Sequence, residues 1–368
     1  MKDLSELNIA LAHDSFTQLG GAERVVEALH ELFPQAPVFT TVLGRGLRPR
    51  YHNWDIRTSW LQVLYNFVPR LQFLLPFIPL AVSSLSLEGY DVILSSSSSW
   101  AKNIKVPKGV VHICYCHTPT RFLWVDGDYV DHEAPKILRP LVRPIIGWMR
   151  VWDLKGSSGV SQFIANSREV QKRIKSIYHR DSIIIEPFVD TVFWRPTKAK
   201  GDYFLLGGRL QAHKKTALIV EIFNELKLPL RVFGVGRQEK YLRSIAGPNI
   251  SFLGRITDED LRDEYSAAKG FIYPQLEDFG LMPLEAAACG TATLAYGQGG
   301  ALETVQPGIT GELFSTHDKD QIKRLVLDWQ PQKYQQADLI DQAQNFSKEA
   351  FQGKIKDYLL KALGETRE

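Results

Sequence analysis

Short apolar runs alternate with amphipathic helical patterns along almost the whole of this chain, and this alternation restricts its fold more than any other feature. In the first half, the pattern predicts a helix at residues 22–33 and strands at residues 8–12, 92–94, 110–116, 162–165 and 183–185. Strands that alternate with helices are typical of parallel sheets covered by helices on both faces. The sequence therefore predicts an α/β protein.

The second half repeats this scheme, with predicted strands at residues 203–206, 230–233, 250–253 and 271–273 and helices at residues 216–226, 238–245 and 283–289. Ser167 in the first half and Thr257 in the second are predicted N-caps of two further helices. A chain of 368 residues is long enough for about two domains. The proline-containing stretch 186–201 is the expected linker. We therefore predict two doubly wound, Rossmann-like domains facing a cleft, residues 1–190 and 191–346, with ligands bound beyond the carboxyl ends of the strands.

Composition narrows the possible partners. A net charge of +3 is too small for general nucleic-acid binding, so no nucleic-acid partner is expected. The cationic excess lies in residues 1–195, with 22 Lys and Arg against 18 Asp and Glu. Three cysteines cannot form a disulfide framework, and Cys114 and Cys116 are interpreted as buried thiols. The first residues lack a cationic signal-peptide region, so a cytoplasmic location is expected.

Two segments interrupt the alternation. Residues 59–87 carry a single charge, Arg70, and many aromatic residues, but prolines make the segment a poor membrane span. It either forms helices buried under the first domain or lies on a bilayer surface, on the inner face of the cell membrane. The run Ser95–Ser99 directly follows a predicted strand and is interpreted as a polar turn without a catalytic role.

Two glutamates frame the motif that carries the most chemistry. Glu277 follows a predicted strand, and Glu285 is predicted in the first turn of the next helix, with seven residues between them. One glutamate near a helix start is often only a partner of the helix dipole. A pair of carboxylates can also accept hydrogen bonds from the vicinal hydroxyls of a sugar. Backbone N–H groups at the helix N-terminus, which bind anions and sugar hydroxyls, come from Phe279, Gly280 and Leu281.

A second motif, Gly207-Gly208-Arg209 followed by Lys214, lies between a predicted strand and a helix. Arginine offers a planar fork and lysine a point charge, which together suit a diphosphate. The spacing is not that of a P-loop. Together with the glutamate pair, the motif describes a site for a ribose, a diphosphate and a sugar.

The combination of Arg209 and Lys214 with Glu277 and Glu285 resembles the family 4 retaining glycosyltransferases of GT-B fold. The resemblance covers nearly the whole chain. Within the family, the block from Tyr115 to Trp124 and the triplet 165–167 are similar to bacterial mannosyltransferases of O-antigen and exopolysaccharide assembly. The sequence departs from the family at Ala292, where a proline is usual, which affects only a turn.

The resemblance implies a role for each matching residue. Arg209 and Lys214 would neutralise the donor diphosphate, Glu285 would hold the ribose, and Glu277 would grip the donor sugar with the backbone of residues 279–281. His117 would sit by the sugar and the reacting centre; the alternative is that it is a plain structural histidine. Gly20 and Gly21 would approach the phosphates and the sugar, and the backbone around Arg255 would line the pocket of the base. A C-terminal helix at residues 347–368 would cross back to the first domain.

The activity implied is transfer of a hexose, most simply mannose from GDP-mannose, to a lipid-linked or polysaccharide glycan with retention of configuration. A UDP-sugar donor and a non-catalytic sugar-binding relative remain alternatives. An oxidoreductase is a further class, but Gly234-x-Gly236 lacks the third glycine of a dinucleotide fingerprint.

No cofactor and no metal are expected, because the cations of Arg209 and Lys214 would replace a metal. Asp126-Gly127-Asp128 matches the pattern of metal-dependent transferases, and we interpret it as a loop turn.

Overall fold

The computed structural model describes residues 4–125 and 139–365 and divides the chain into two compact units. The first unit comprises residues 1–186 and 352–368, and the second comprises residues 187–351. The last helix begins in the second unit, and its residues from Gln352 onward belong to the first. There Gln352 donates a hydrogen bond to the Ala28 carbonyl at 2.9 Å, and Tyr358 donates one to Gln162 at 2.6 Å.

The first unit contains a seven-stranded sheet in which every strand pair is parallel, in the order β3-β2-β1-β4-β5-β6-β7. Its strands are β1 (Ile9–His13), β2 (Val38–Thr40), β3 (Ile56–Thr58), β4 (Val92–Ser97), β5 (Val111–Cys116), β6 (Gln162–Ala165) and β7 (Ser182–Ile184). The strand order reverses direction between β1 and β4. This is the switch point at which sheets of this type bind ligands.

The second unit contains a parallel six-stranded sheet in the order β10-β9-β8-β11-β12-β13. Its strands are β8 (Phe204–Gly207), β9 (Leu230–Phe233), β10 (Ile250–Gly254), β11 (Gly270–Tyr273), β12 (Thr293–Tyr296) and β13 (Gly311–Phe314). Its switch point lies between β8 and β11. Both sheets confirm the predicted α/β class.

Helices flank both sheets. In the first unit they are α1 (Gly21–Leu32), α2 (Leu61–Phe67), α3 (Leu71–Leu74), α4 (Ile78–Ser83), α5 (Arg121–Trp124), α6 (Arg139–Ser157) and α7 (Arg168–Arg173). The later helices are α8 (Thr216–Leu226), α9 (Glu239–Ile245), α10 (Asp258–Ala267), α11 (Leu281–Ala288), α12 (Ala301–Thr304), α13 (Lys319–Leu327), α14 (Gln336–Gln344) and α15 (Lys348–Glu365).

Two predicted helix caps are present. The Ser167 hydroxyl accepts a hydrogen bond from the Val170 N–H, and the Thr257 hydroxyl accepts one from the Asp260 N–H, both at 3.1 Å. Each satisfies an N–H group that the helix itself leaves without a partner. These contacts confirm that α7 and α10 begin where the sequence predicts.

The strands nearest the centre of each sheet are buried on both faces, as expected when helices cover a parallel sheet. Cys114 and Cys116 belong to this buried set, which confirms the prediction of buried thiols. Burial raises the pKa of the Cys114 thiol to about 12, so this thiol stays protonated. Within the two described stretches, no helix is both long enough and apolar enough to cross a membrane.

Candidate active site

The predicted site residues lie at or just beyond the carboxyl ends of parallel strands or at the start of the helix that follows. In the first unit, Gly20 and Gly21 follow β1 at the start of α1, and His117 follows β5 directly. In the second unit, Arg209 and Lys214 follow β8, Arg255 follows β10, and the segment from Glu277 to Glu285 follows β11. The ends of these strands are where a doubly wound sheet binds ligands.

An ion pair joins the two predicted motifs of the second unit. The Lys214 ammonium contacts the Glu277 carboxylate, and their side chains are 7% and 26% exposed. Lys214 lies in the turn after β8 and Glu277 in the loop after β11, so the pair bridges the two strands that flank the switch point. The structure therefore brings one cation and one carboxylate of the predicted donor site into direct contact.

Two further cations lie on neighbouring loops of the same sheet edge. Arg209 is exposed, and no residue in the described part of the chain forms an ion pair or hydrogen bond with its side chain. Arg255 is also exposed and follows Gly254, whose carbonyl accepts a hydrogen bond from the Gly234 N–H at 2.7 Å. Arg209 and Arg255 thus place two exposed cations at this edge of the sheet, and exposed cations suit an anionic ligand.

Gly234 holds two of these loops together. A Cβ atom on this residue would overlap the carbonyl group of Gly208, in the loop that carries Arg209. The same two loops are joined by a hydrogen bond from the Leu210 N–H to the Val235 carbonyl at 3.0 Å. Gly234-x-Gly236 is therefore explained by packing against the Arg209 loop.

The loop that carries Glu277 is supported by the loop after β12. The Gly300 N–H donates a hydrogen bond to the Glu277 carbonyl at 2.9 Å. The ring of Phe279 is buried and packs against Phe346 with a centroid distance of 5.7 Å, while its backbone lies against Gly300. The Gly299-Gly300 pair is a functional candidate absent from the predicted site. The glycine pair was visible in the sequence, but the strand before it was not predicted.

Glu285 occupies a different place from the one predicted. Helix α11 begins at Leu281, so Glu285 lies in its second turn instead of its first. The residue is 8% exposed. Burial, and then the charge of Glu285, raises the pKa of the Tyr265 phenol well above its ordinary value. Glu285 is thus a buried carboxylate close to Tyr265, in the second turn of α11.

In the first unit, the first residues of the serine run 95–99, which the sequence predicts to be a turn, belong to strand β4. Strand β4 extends to Ser97, so residues 95–97 pair with β5, and the predicted strand end at residue 94 was wrong. Ser95 is hydrogen-bonded to His112 and Ser96 to His117, each between hydroxyl oxygen and ring Nε2 at 2.8 Å. The side chains of the run thus contact residues of neighbouring strands.

Asp14 fixes the turn that follows β4. Its carboxylate accepts hydrogen bonds from the backbone N–H groups of Ser98 and Ala101 at 2.6 Å and of Trp100 at 2.8 Å, and from the Ser97 hydroxyl at 3.2 Å. A carboxylate that accepts several N–H bonds acts like a helix cap for the turn. This network ties the ends of β1 and β4 together at the switch point.

A buried ion pair holds the segment after His117. Lys102 and Asp153 side chains are 1% exposed and lie 2.6 Å apart. Thr120 donates to the Asp153 carboxylate at 2.9 Å, and the Trp124 indole and the Tyr178 hydroxyl each donate to it at 2.8 Å. Trp124 of the predicted sequence block is therefore joined to α6 through Asp153.

No group of three or more metal-ligating side chains occurs within residues 4–125 and 139–365. Asp126 and Asp128 lie outside these residues, so their interpretation as a loop turn stays a prediction.

Two family descriptions match the chain, and their matched ranges meet at residues 190–193. Residues 19–193 match the description "Glycosyltransferase Family 4", and residues 190–346 match "Glycosyl transferases group 1". The two Rossmann-like units correspond to the two domains of the GT-B fold. A crystal structure of Anabaena Alr3699/HepE in complex with UDP supports the fold: it has a TM-score of 0.71 at 16% identity and covers 96% of this chain and 100% of its own.

Curated relatives match shorter stretches of this GT-B chain. A GDP-mannose-dependent monoacylated alpha-(1-6)-phosphatidylinositol monomannoside mannosyltransferase of Corynebacterium glutamicum is 36% identical over 27% of this chain and 29% of its own length. The serotype-specific mannosyltransferase WbdA of Escherichia coli is 31% identical over 46% of this chain and 20% of its own. The matched stretches thus span less than a third of either relative.

Proposed function

We propose that this GT-B chain is a retaining hexosyltransferase that moves mannose from GDP-mannose to a lipid-linked or polysaccharide glycan. The observation that carries this proposal is the Lys214–Glu277 pair at the switch point of the second sheet, with Arg209 exposed in the same loop after β8 as Lys214. A cation and a carboxylate side by side match a sugar diphosphate, whose phosphates are anionic and whose sugar offers hydroxyls. The mannosyltransferase relatives support mannose as the sugar.

The proposed reaction breaks the bond between the sugar C1 and the diphosphate oxygen and forms a bond from C1 to an acceptor oxygen on the same face. The acceptor proton passes to the departing phosphate. Negative charge develops on that phosphate, so fixed cations lower the barrier most where they face it. Arg209 and Lys214 supply such cations, and no metal or other cofactor takes part in the proposed step.

Two substitutions test the site. Lys214→Ala and Arg209→Ala are each expected to abolish transfer in a donor-saturated assay while the circular-dichroism melting curve stays cooperative. The matched control is Lys215→Asn, which removes the adjacent exposed cation; Lys215 has a φ of +58°, a conformation that asparagine tolerates. More than a tenth of wild-type turnover in either test variant contradicts the assignment.

The donor nucleotide is tested by ligand-dependent stabilisation. A ligand that binds only the folded state raises the melting temperature according to its concentration relative to Kd. We expect GDP and GDP-mannose to raise it more than UDP or ADP and their sugars. A larger effect of UDP favours the second candidate, a UDP-sugar donor. The reason to include this candidate is that HepE, which has a similar fold, was crystallised with UDP. Donor hydrolysis without acceptor excludes a purely sugar-binding protein.

We further propose that the first unit contacts an anionic bilayer on the cytoplasmic side, where a lipid-linked acceptor would be held. Segment 59–87 buries Leu61 and Ile78 but exposes Phe67 by 81% and Phe73 by 64%. Helix α6 exposes a stripe of Trp148, Val151 and Leu154, and its only carboxylate, Asp153, is buried. Aromatic side chains with nearby cations and no exposed acid are typical of interfacial segments.

The matching experiment is sedimentation with vesicles of neutral lipid alone or with anionic lipid. Phe67→Ser with Phe73→Ser is expected to reduce binding to anionic vesicles at least tenfold. Leu302→Ser, which removes a side chain of similar exposure (59%) in the second unit, serves as the control. Equal binding of both variants contradicts this contact.

A further inference from the structure

Ser96 and His117 form a hydrogen bond whose direction can be deduced from burial. The Ser96 hydroxyl is in a residue that is 1% exposed, and within the described part of the chain His117 Nε2 is its one hydrogen-bond partner. A buried hydroxyl that keeps its proton unshared loses a hydrogen bond without regaining one from water. The Ser96 hydroxyl therefore donates, and His117 Nε2 accepts.

This direction fixes the tautomer of His117. In a neutral imidazole one ring nitrogen carries the proton and the other accepts, so an accepting Nε2 places the proton on Nδ1. Burial, and then the nearby His13, lowers the pKa of His117 to about 3, which keeps the ring neutral at physiological pH. The charged group that faces His13 is Glu23 of α1, with 3.8 Å between His13 Nε2 and the carboxylate.

The ring orientation is fixed from two more sides. The His117 backbone N–H donates to the Ser97 carbonyl at 2.9 Å, and the Tyr115 ring packs against the imidazole edge with a centroid distance of 5.1 Å. Nδ1 has no hydrogen-bond partner within residues 4–125 and 139–365, and His117 is partly exposed. The ring thus presents one N–H donor at the carboxyl end of β5.

We propose that Ser96 is a positioning residue that holds His117 in its Nδ1–H form, so that this N–H donates to an oxygen of the transferred sugar. The assignment of that oxygen rests on the proposed function, whereas the tautomer does not. A neutral histidine side chain in water prefers the opposite form, with the proton on Nε2, and a hydrogen bond to the other ring nitrogen can reverse this preference. Ser96 therefore determines that the ring N–H available to a sugar hydroxyl is the one on Nδ1.

The experiment uses the full chain with 15N-labelled histidine, because long-range proton–nitrogen NMR spectra distinguish the two neutral tautomers. The His117 signals are assigned by their loss in His117→Gln. We expect the Nδ1–H form in at least about nine tenths of wild-type molecules and a change to Nε2–H in Ser96→Ala. Ser96→Thr, which keeps the hydroxyl, should restore Nδ1–H.

Ser95→Ala is the matched control, because it removes an equivalent serine–histidine bond, to His112, on the same pair of strands. It should lower the melting temperature as much as Ser96→Ala but leave the His117 tautomer and the transfer rate unchanged. For Ser96→Ala we expect kcat/KM to fall about tenfold to a hundredfold, mainly in kcat.

Three results overturn the proposal: Nε2–H at His117 in the wild type, Nδ1–H retained in Ser96→Ala, or a tautomer change without a change in kcat/KM. A wild-type protein without transferase activity but with Nδ1–H at His117 contradicts the proposed function and leaves the tautomer assignment supported.

Discussion

Replacing Gly300 by alanine tests whether the loop after β12 holds the candidate donor site in place. Gly300 has φ −66° and ψ −18°, a conformation that alanine adopts freely, so backbone strain does not enter. The difficulty is space: an added Cβ would lie about 1 Å inside the 3.0 Å approach that real Cβ atoms respect. The atoms it meets are the backbone Cα, C and O of Phe279, which cannot rotate aside.

The losses of stability and of activity in Gly300→Ala can be estimated from the residues that the added methyl group would displace. Overpacking of a buried contact costs about 1–3 kcal/mol, which corresponds to a fall of a few degrees in the melting temperature. A shift of about 1 Å at Phe279 also moves Glu277, whose carbonyl accepts the Gly300 hydrogen bond. Misplacing a positioning group by this distance reduces rates by about a hundredfold. We therefore expect a modest loss of stability and a large loss of kcat/KM.

Transfer is measured at saturating and limiting donor concentrations, with the melting temperature recorded for the same samples. The control is Gly353→Ala, because Gly353 lies in α15 with no atom within 4 Å of an added Cβ. A helical Gly→Ala change of this kind stabilises by about 0.5–1 kcal/mol and should leave transfer unchanged. If Gly300→Ala keeps more than a third of the wild-type kcat/KM, the loop after β12 does not position Glu277.

Three further outcomes are expected. Asp153→Asn should lower the free energy of unfolding by about 3–5 kcal/mol, measured by urea denaturation, because it leaves the Lys102 ammonium buried without its counter-charge. Burial lowers the pKa of His112 to about 3, so the unfolded state takes up the proton first. Between pH 7 and pH 5 this histidine alone should reduce stability by about 2 kcal/mol, and His112→Asn should remove that part of the pH dependence. Transfer should persist in excess EDTA, and a strict need for a divalent ion would contradict the metal-independent step.

The fold could be predicted wherever a strand is long and apolar or a helix has a side-chain cap. Helix α8 has the predicted bounds, and the caps at Ser167 and Thr257 mark the starts of α7 and α10. Strands β2, β3, β12 and β13 were not predicted: each has only three or four residues, and each includes a threonine or a glutamate that interrupts its apolar run. They are strands because neighbouring strands pair with them.

The candidate site could be predicted from the sequence only in part. Residue type and spacing identified the cation and the carboxylate that meet as Lys214 and Glu277, since loops after adjacent strands share one sheet edge. The burial of Glu285 beside Tyr265 was not predictable, because Tyr265 belongs to α10, an earlier helix, and no local pattern in the sequence indicates that the two residues meet.

The serine run shows that identical neighbouring residues can form different contacts in the folded chain. Successive side chains of a strand point to opposite faces of the sheet, so Ser95 and Ser97 share one face and Ser96 occupies the other. Their partners come from elsewhere in the chain: His112 for Ser95, His117 for Ser96 and Asp14 for Ser97. No local sequence pattern predicts these partners, because they lie 17, 21 and 83 residues away in the sequence. Identical residues thus acquire different roles from the register of β4 beside β1 and β5, and alanine substitutions along the run should therefore have different effects.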